Sequence, residues 1–297
     1  MLSESLLSRD VYISEILDQE QPPANEICPK CLSKRGLLRC EDCFSRQMLC
    51  LDCCLATHQN TPFHSIQKWT GHFFQATSLN EEGFTLNLGH SGAPCPELQL
   101  GISSQGTQAG GVVDEGSGDE RTPLGSRQAD AKKRLVIVDV SGIHQLHIGW
   151  CRCKEAPGAD IQLLRNRLFP ASTANPSTAF TFKLLHYFHI DSVECKTSAL
   201  SFFSKLRRLT NESSPDSVPV SLIVYYPSGH CSNCTQDRYR ELMRVSRTWR
   251  DISARIQAGY GHHLNEPVTP GGLAIFCPAC PQPGVNLPDD WREDVQK

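Results

Sequence analysis

Between Cys28 and His64 the chain sets metal-binding side chains in closely spaced pairs: Cys28-x2-Cys31-x8-Cys40-x2-Cys43-x6-Cys50-x2-Cys53-x4-His58-x5-His64. A C-x2-C pair presents both thiolates to one metal from a single turn. Four pairs within about forty residues suffice for two tetrahedral sites, and a segment this short has too little core to fold without them. In compact cross-braced modules, alternate pairs share a metal. That arrangement puts Cys28, Cys31, Cys50 and Cys53 on one ion and Cys40, Cys43, His58 and His64 on the other. Cys54 adjoins Cys53 and is able to replace it. Zinc is the expected ion, two in this module, because sulfur and imidazole suit it and it is redox-inert. Protein fills every coordination position, so such sites stabilise a fold and leave no place for a reacting water.

The remaining cysteine pairs, out of 15 cysteines, are Cys151/Cys153, Cys231/Cys234 and Cys277/Cys280. The metal reading holds where thiols stay reduced. The first twenty residues, MLSESLLSRDVYISEILDQE, are acidic and lack the basic-then-apolar order of a signal peptide. No apolar run approaches the ~18 residues of a membrane span. We therefore expect a soluble, intracellular chain with no membrane partner and no small-molecule substrate. A net charge of −3 argues against a wholly cationic nucleic-acid binder but permits local basic faces. A third zinc site has three half-sites to draw on: His90-x4-Cys95, Cys151-x-Cys153 and Cys277-x2-Cys280. The two tight knuckles, Cys151 with Cys153 and Cys277 with Cys280, are the expected set. His90 and Cys95 are the competing pair.

At 297 residues the chain has room for about two domains. Residues 1–24 form an acidic tail, in which Leu6, Ile13, Ile16 and Leu17 can line a short helix ended by Pro22 and Pro23. Residues 25–70 are the double zinc module. Residues 71–100 and 134–291 form a second region, and residues 292–297 a closing tail. Residues 101–133 interrupt the second region, and their seven glycines and lack of aromatics predict a disordered insertion. Two β-rich runs, 135–140 and 143–150, flank Ser141-Gly142 and predict a hairpin, with His144 and His147 as strand residues rather than ligands. Between Ser177 and Asn211 the apolar spacing turns helical, with Asp191 or Ser192 as the cap and Ala199, Phe202, Phe203, Leu206 and Leu209 as the stripe. Cys195 falls in that stretch as a buried small side chain. A longer helix from Asp237 to Gly259 carries six arginines against three acids. Its row of Arg240, Arg244 and Arg247, with Arg255 further on, reads first as a solvated helix face and otherwise as the candidate nucleic-acid contact. The expected fold class is α+β: a small cross-braced zinc module, then a β-hairpin and a helical cysteine-cluster domain.

The spacing of the first module resembles the B-box class of zinc fingers, with Cys31 where those often carry His. A longer series of motifs covers roughly residues 28–291, apart from the linker and one later insertion. It comprises LLRCEDC, LCLDCC, HSIQKWTGHFF, LGHSGAPCP, VDVSGIHQLHIGWCRC, QLLRNRLFPAS, TAFTFKLLHYFH, KTSALSFFSKLRRLTN, DRYRELMRVSRTWR and FCPACPQPGVNLPDDW. This series resembles the CxC-type cysteine cluster found upstream of KDZ-type transposases in fungal mobile elements. The family name points to Cys151-Arg-Cys153. The resemblance implies a non-catalytic, nuclear accessory region whose partners are element DNA, through recognition, or the KDZ transposase, through docking. In family members the last motif precedes a large transposase domain, whereas six residues follow Trp291 here. Nuclease chemistry of that kind gathers several carboxylates around two divalent metals. No such gathering is visible in this sequence, so we expect no catalytic residues and no enzyme.

Three other readings stand beside this one. A ubiquitin-ligase-like zinc module is the alternative class, but a RING has a His in its middle pairs, whereas both His close the series here. A decayed transposon fragment without function is the second. The third concerns residues 220–236 alone, VSLIVYYPSGHCSNCTQ. They read either as an in-frame retained intron, whose removal joins Pro219 to Asp237, or as a strand whose Cys231 and Cys234 complete an all-thiolate site with Cys277 and Cys280.

Overall fold

A computed structural model describes residues 2–23, 25–97, 134–215, 218, 237–260, 267–269, 271–273, 280–282, 286–287, 290 and 292. The insertion expected at 101–133, the stretch 220–236 with Cys231 and Cys234, and Cys277 lie outside the described residues. The chain divides into two compact units, Met1–Leu242 and Met243–Lys297. The architecture is α+β, with six helices and two sheets among the described residues.

The chain opens with α1 (Leu2–Asp18), a helix where a tail was the main expectation. Val11, Tyr12, Ile13, Ile16 and Leu17 are all exposed on it. It is moored at its C-terminal exit. The buried Arg39 guanidinium donates to the Gln19 carbonyl at 2.9 Å, pairs with Glu20, and stacks 3.5 Å from the centre of the Phe74 ring. The zinc module follows, as β1 (Leu38–Cys40), α2 (Leu51–Thr57), β2 (Ile66–Trp69) and β3 (Phe74–Thr77). The three strands form an antiparallel sheet in chain order.

A five-stranded sheet is built from β4 (Thr85–Asn87), β5 (Arg134–Asp139) and β6 (Gly142–Gly149), then, beyond α3 (Ala159–Arg165), β7 (Leu168–Pro170) and β8 (Thr178–Thr181). Its order is β4-β6-β5-β8-β7. The expected hairpin is β5 with β6, paired from Arg134↔His147 to Asp139↔Gly142. Successive residues of β5 are buried from Leu135 to Asp139, because this strand lies inside the sheet with both faces covered. The same double covering explains the poor alternation of β6, where Ile143 and Leu146 are buried on opposite faces. His144 and His147 are engaged as strand residues: His144 meets Ser141 Oγ at 2.9 Å, and His147 Nε2 accepts from Arg134 Nε at 3.2 Å.

The stretch expected as one helical region contains two helices and a strand: β8, then α4 (Phe182–Glu194) and α5 (Ala199–Thr210). Thr181 Oγ1 caps α4 by accepting from the Leu184 amide at 3.1 Å, while its hydroxyl donates to the buried Asp139 carboxylate at 2.7 Å. The cap of α5 is Ser198, which accepts from the Ser201 amide, rather than Asp191 or Ser192, which lie inside α4. Phe202, Phe203 and Leu206 are buried as the stripe required, but Leu209 is exposed. Cys195 corrects its expectation too: it is the exposed C-cap of α4.

One buried cluster runs through the first unit. It joins Cys28, Leu38, Cys40, Cys50 and Ile66 of the zinc module, through Leu79 and Phe84 of the connection between β3 and β4, to Ile137, Leu146 and Leu163 of the larger sheet and its helix. Each such Leu, Ile or Phe contributes about 1.5–3 kcal/mol on full burial. The last helix, α6 (Asp237–Gln257), begins in the first unit and continues into the second. It stops just before Gly259, whose φ of 85° is the left-handed conformation common after helix ends.

Candidate metal centres

The first donor set is Cys28, Cys31, Cys50 and Cys53, whose ligand atoms all lie within 4.8 Å of one another. Cys28 and Cys31 share a turn in which the Leu32 amide donates to the Cys28 carbonyl at 2.9 Å. Cys50 and Cys53 sit at the start of α2, Cys50 as its N-cap. The Sγ atoms of Cys31 and Cys50 are 3.8 Å apart. Acidities diverge sharply within the set. Hydrogen bonds from Ser33 pull the Cys31 thiol down to about 6, while the adjacent Cys50 pushes Cys53 up to about 12. Four thiols so close cannot all ionise together unless a cation is placed among them.

The second set is Cys40, Cys43, His58 and His64, at the same mutual distance limit. His64 Nδ1 lies 3.4 Å from Cys40 Sγ and 3.6 Å from Cys43 Sγ. His58 turns Nε2 toward Cys43 Sγ at 3.5 Å and Nδ1 toward the Cys54 carbonyl at 2.8 Å. A carbonyl only accepts, so Nδ1 carries the proton and Nε2 has its lone pair on the cysteine side. Such a backbone bond is the usual way an imidazole ligand is oriented. Without a cation the hydrogen bond with the Cys54 side chain raises His58 to about 9, so at neutral pH Nε2 is protonated as well, and a metal has to displace the Nε2 proton while Nδ1 keeps its own. Cys54 itself is buried and belongs to neither donor set.

The third set is His90, Cys95, Cys151 and Cys153. His90 lies in a short turn just past β4, where it and Ser91 both have left-handed φ angles, 51° and 56°. The cysteine knuckle leaves the end of β6. Because β4 runs parallel to β6, the two arms emerge side by side. His90 Nε2 is 3.4 Å from Cys151 Sγ and 3.5 Å from Cys153 Sγ, and the Cys95 and Cys153 sulfurs are 3.9 Å apart. The Arg152 amide, donating to Cys95 Sγ at 3.3 Å, draws that thiol down to about 6. Cys151 pushes Cys153 up to about 11. Of the two pairings expected, this is the competing one. Among the described residues, Cys151 and Cys153 meet the competing pair, His90 and Cys95, which complete a set of four donors. Cys280 is exposed, and Cys277 lies outside the described residues.

The spacings test the fit of an ion. With Zn–S bonds of about 2.3 Å and Zn–N bonds of about 2.0–2.1 Å, the edges of a tetrahedron are about 3.8 Å between sulfurs and about 3.5 Å between sulfur and nitrogen. Seven of the edges run from 3.4 to 3.9 Å, and within each set all ligand atoms lie within 4.8 Å of one another. All three sets are therefore shaped to hold a tetrahedral metal ion.

Arg240, Arg244, Arg247 and Arg255 are all exposed along α6, and Arg255 pairs with Asp251 at 2.9 Å. The sixfold arginine count overstates this face, since Arg238 is turned inward and buried. Three residues around the third set, Gly89, Gln162 and Asn166, lie within the family-like motifs LGHSGAPCP and QLLRNRLFPAS but take no site role from the sequence alone. A glycine and two amides have no ligand spacing to betray them.

Residues 116–214 match the family described as CxC2 like cysteine cluster associated with KDZ transposases. The matched segment contains Cys151 and Cys153, while His90, Cys95 and the first two donor sets precede it. No curated protein and no solved structure matches the chain. Among the described residues, no helix is long and apolar enough to cross a membrane.

Proposed function

Since residues 116–214 match a cysteine cluster that accompanies KDZ transposases, we propose that the chain is a non-catalytic, nuclear accessory region of such a transposase. It holds three structural zinc ions and recognises element DNA. The observation that carries this is the trio of four-donor sets with tetrahedral spacing. Cys28, Cys31, Cys50 and Cys53 would hold the first ion, Cys40, Cys43, His58 and His64 the second, and His90, Cys95, Cys151 and Cys153 the third. Filled by protein, each centre supplies folding energy rather than an activated water. The contact to DNA is assigned to Arg240, Arg244, Arg247 and Arg255, exposed at helical spacing on α6.

The test begins with the zinc content of the purified full chain, expected to be three per molecule. A folded chain with none overturns the metal reading. Binding is then measured against duplexes from the ends of a KDZ-type element and unrelated duplexes of equal length, across a salt series. Phosphate contacts release counterions, so each lost arginine contact should reduce the salt slope by about one. Salt-dependent binding that weakens in R244A/R247A supports the reading, and no binding at low salt overturns it. A second reading, docking to the transposase protein, is favoured by one feature: the exposed apolar residues Val11, Tyr12, Ile16 and Leu17 on the acidic α1. Loss of transposase capture on deleting α1, with DNA binding intact, would favour that role.

A further inference from the structure

We propose that Gln162 is a positioning residue of the third centre, holding the Cys151–Cys153 knuckle in its ligating shape before the metal arrives. Asn166, one turn further on, does the same for the His90 arm. The inference rests on the reading of that centre as a zinc site.

Gln162 sits in the middle of α3 and is only 6% exposed. Its Oε1 accepts from the Cys151 amide at 2.9 Å, and its Nε2 donates to the carbonyls of Cys151 at 3.1 Å and Pro157 at 2.9 Å. One buried side chain thus grips both backbone groups of a ligand residue and the loop that follows the knuckle. Asn166 caps the same helix. Its Nδ2 donates to the Gln162 carbonyl at 2.8 Å and to the Leu88 carbonyl at 2.9 Å, two residues before His90. Gln162 and Asn166 are i and i+4, hence on one helix face. That face therefore binds the backbone of both arms, although His90 and Cys151 are 61 residues apart in the chain. Neither amide titrates, and neither is a member of the donor set. What they supply is orientation: the ordering of the arms is met by neutral hydrogen bonds rather than by the ion. Outer partners of this kind set metal affinity by about 10–100-fold.

The experiment uses the full chain loaded with zinc, challenged with graded chelator while bound ions are counted by native mass spectrometry. In Q162M, which keeps the length and loses all three bonds, the third ion should be held about 10–100-fold more weakly, with the other two unchanged. Q162E keeps the acceptor for the Cys151 amide and should fall between. With cobalt(II) in the third centre, the ligand-field bands should shift in Q162M, a readout that general destabilisation does not move. Unchanged affinity and bands in Q162M overturn the inference. A wild-type chain that binds no third ion instead overturns the reading of the centre itself. Should Q162M fail to fold, the wild-type chain stripped of its third ion decides. Slow hydrogen exchange at the Cys151 amide supports a grip made before metal, and exchange at the unprotected rate overturns it.

Discussion

Gly89 lies against Cys151 so closely that a Cβ built at position 89 would stand 2.9 Å from the Cys151 Cβ and 3.6 Å from its sulfur. The backbone there is ordinary extended chain, with φ of −125°, so the requirement for glycine is contact and not conformation. G89A should therefore separate the two arms of the third centre. We expect a loss of about 1–3 kcal/mol in stability, as for other overpacked sites. The third ion should also be released at lower chelator concentration. Thermal unfolding and metal counting on the same sample check this, and a variant equal to wild type in both refutes it.

Adjacent cysteines should behave differently. Cys53 belongs to the first donor set, while Cys54 is buried 3.7 Å from His58 Nδ1, outside it. C53A should lose one zinc. C54A should keep all of them and lose about 1 kcal/mol, as for removing one buried heavy atom. Zinc content of the two variants decides, and equal losses would show that the neighbours exchange roles.

Damage to the small module should travel. Cys40 and Cys50 share one buried cluster with Ile137 and Leu146 of the larger sheet. In C40S the second ion should be lost, and hydrogen-exchange protection of β5 should fall with that of β1. A protected β5 beside an exchanging β1 would show that the sheet holds itself together without the module.

The mooring of α1 carries a pH signature. The hydrogen bond from Arg39 holds the Glu20 carboxyl below the ordinary glutamate value. A carboxylate whose pKa is lowered by folding adds stability at neutral pH, and that contribution is lost as pH falls from the ordinary value through the lowered one. Glu20 is half exposed, so the effect is a few tenths of a kcal/mol. Carbon-13 titration of Glu20 should give a value below that in R39M, and identical curves would count against the pair.

The ligand ladder from Cys28 to His64 was legible because its chemistry is local: every half-site is a short spacing, and cross-bracing is the compact way to use four of them. The third set resisted because its halves are far apart in sequence and meet only through the pairing of β4 with β6. That pairing rests on three residues of β4, Thr85–Asn87, too few to show any period. Tight cysteine knuckles are also more conspicuous than a histidine in a left-handed turn, which favoured Cys277 and Cys280 over His90 and Cys95 as the expected partners of Cys151 and Cys153. The cap of α5 went to Asp191 and Ser192 rather than Ser198 because apolar spacing alone does not register where one helix stops and another starts.

His147 is bracketed in the large sheet by Thr85 on one side and Arg134 on the other. The chain thus leaves this strand after β4 and returns to its opposite flank at β5, with residues 98–133 between. That stretch falls between Cys95 and Cys151 in the sequence. A protein cut within it would be two polypeptides, one carrying His90 and Cys95, the other Cys151 and Cys153. The third ion would then be an intermolecular clasp, and zinc the condition for the halves to find each other.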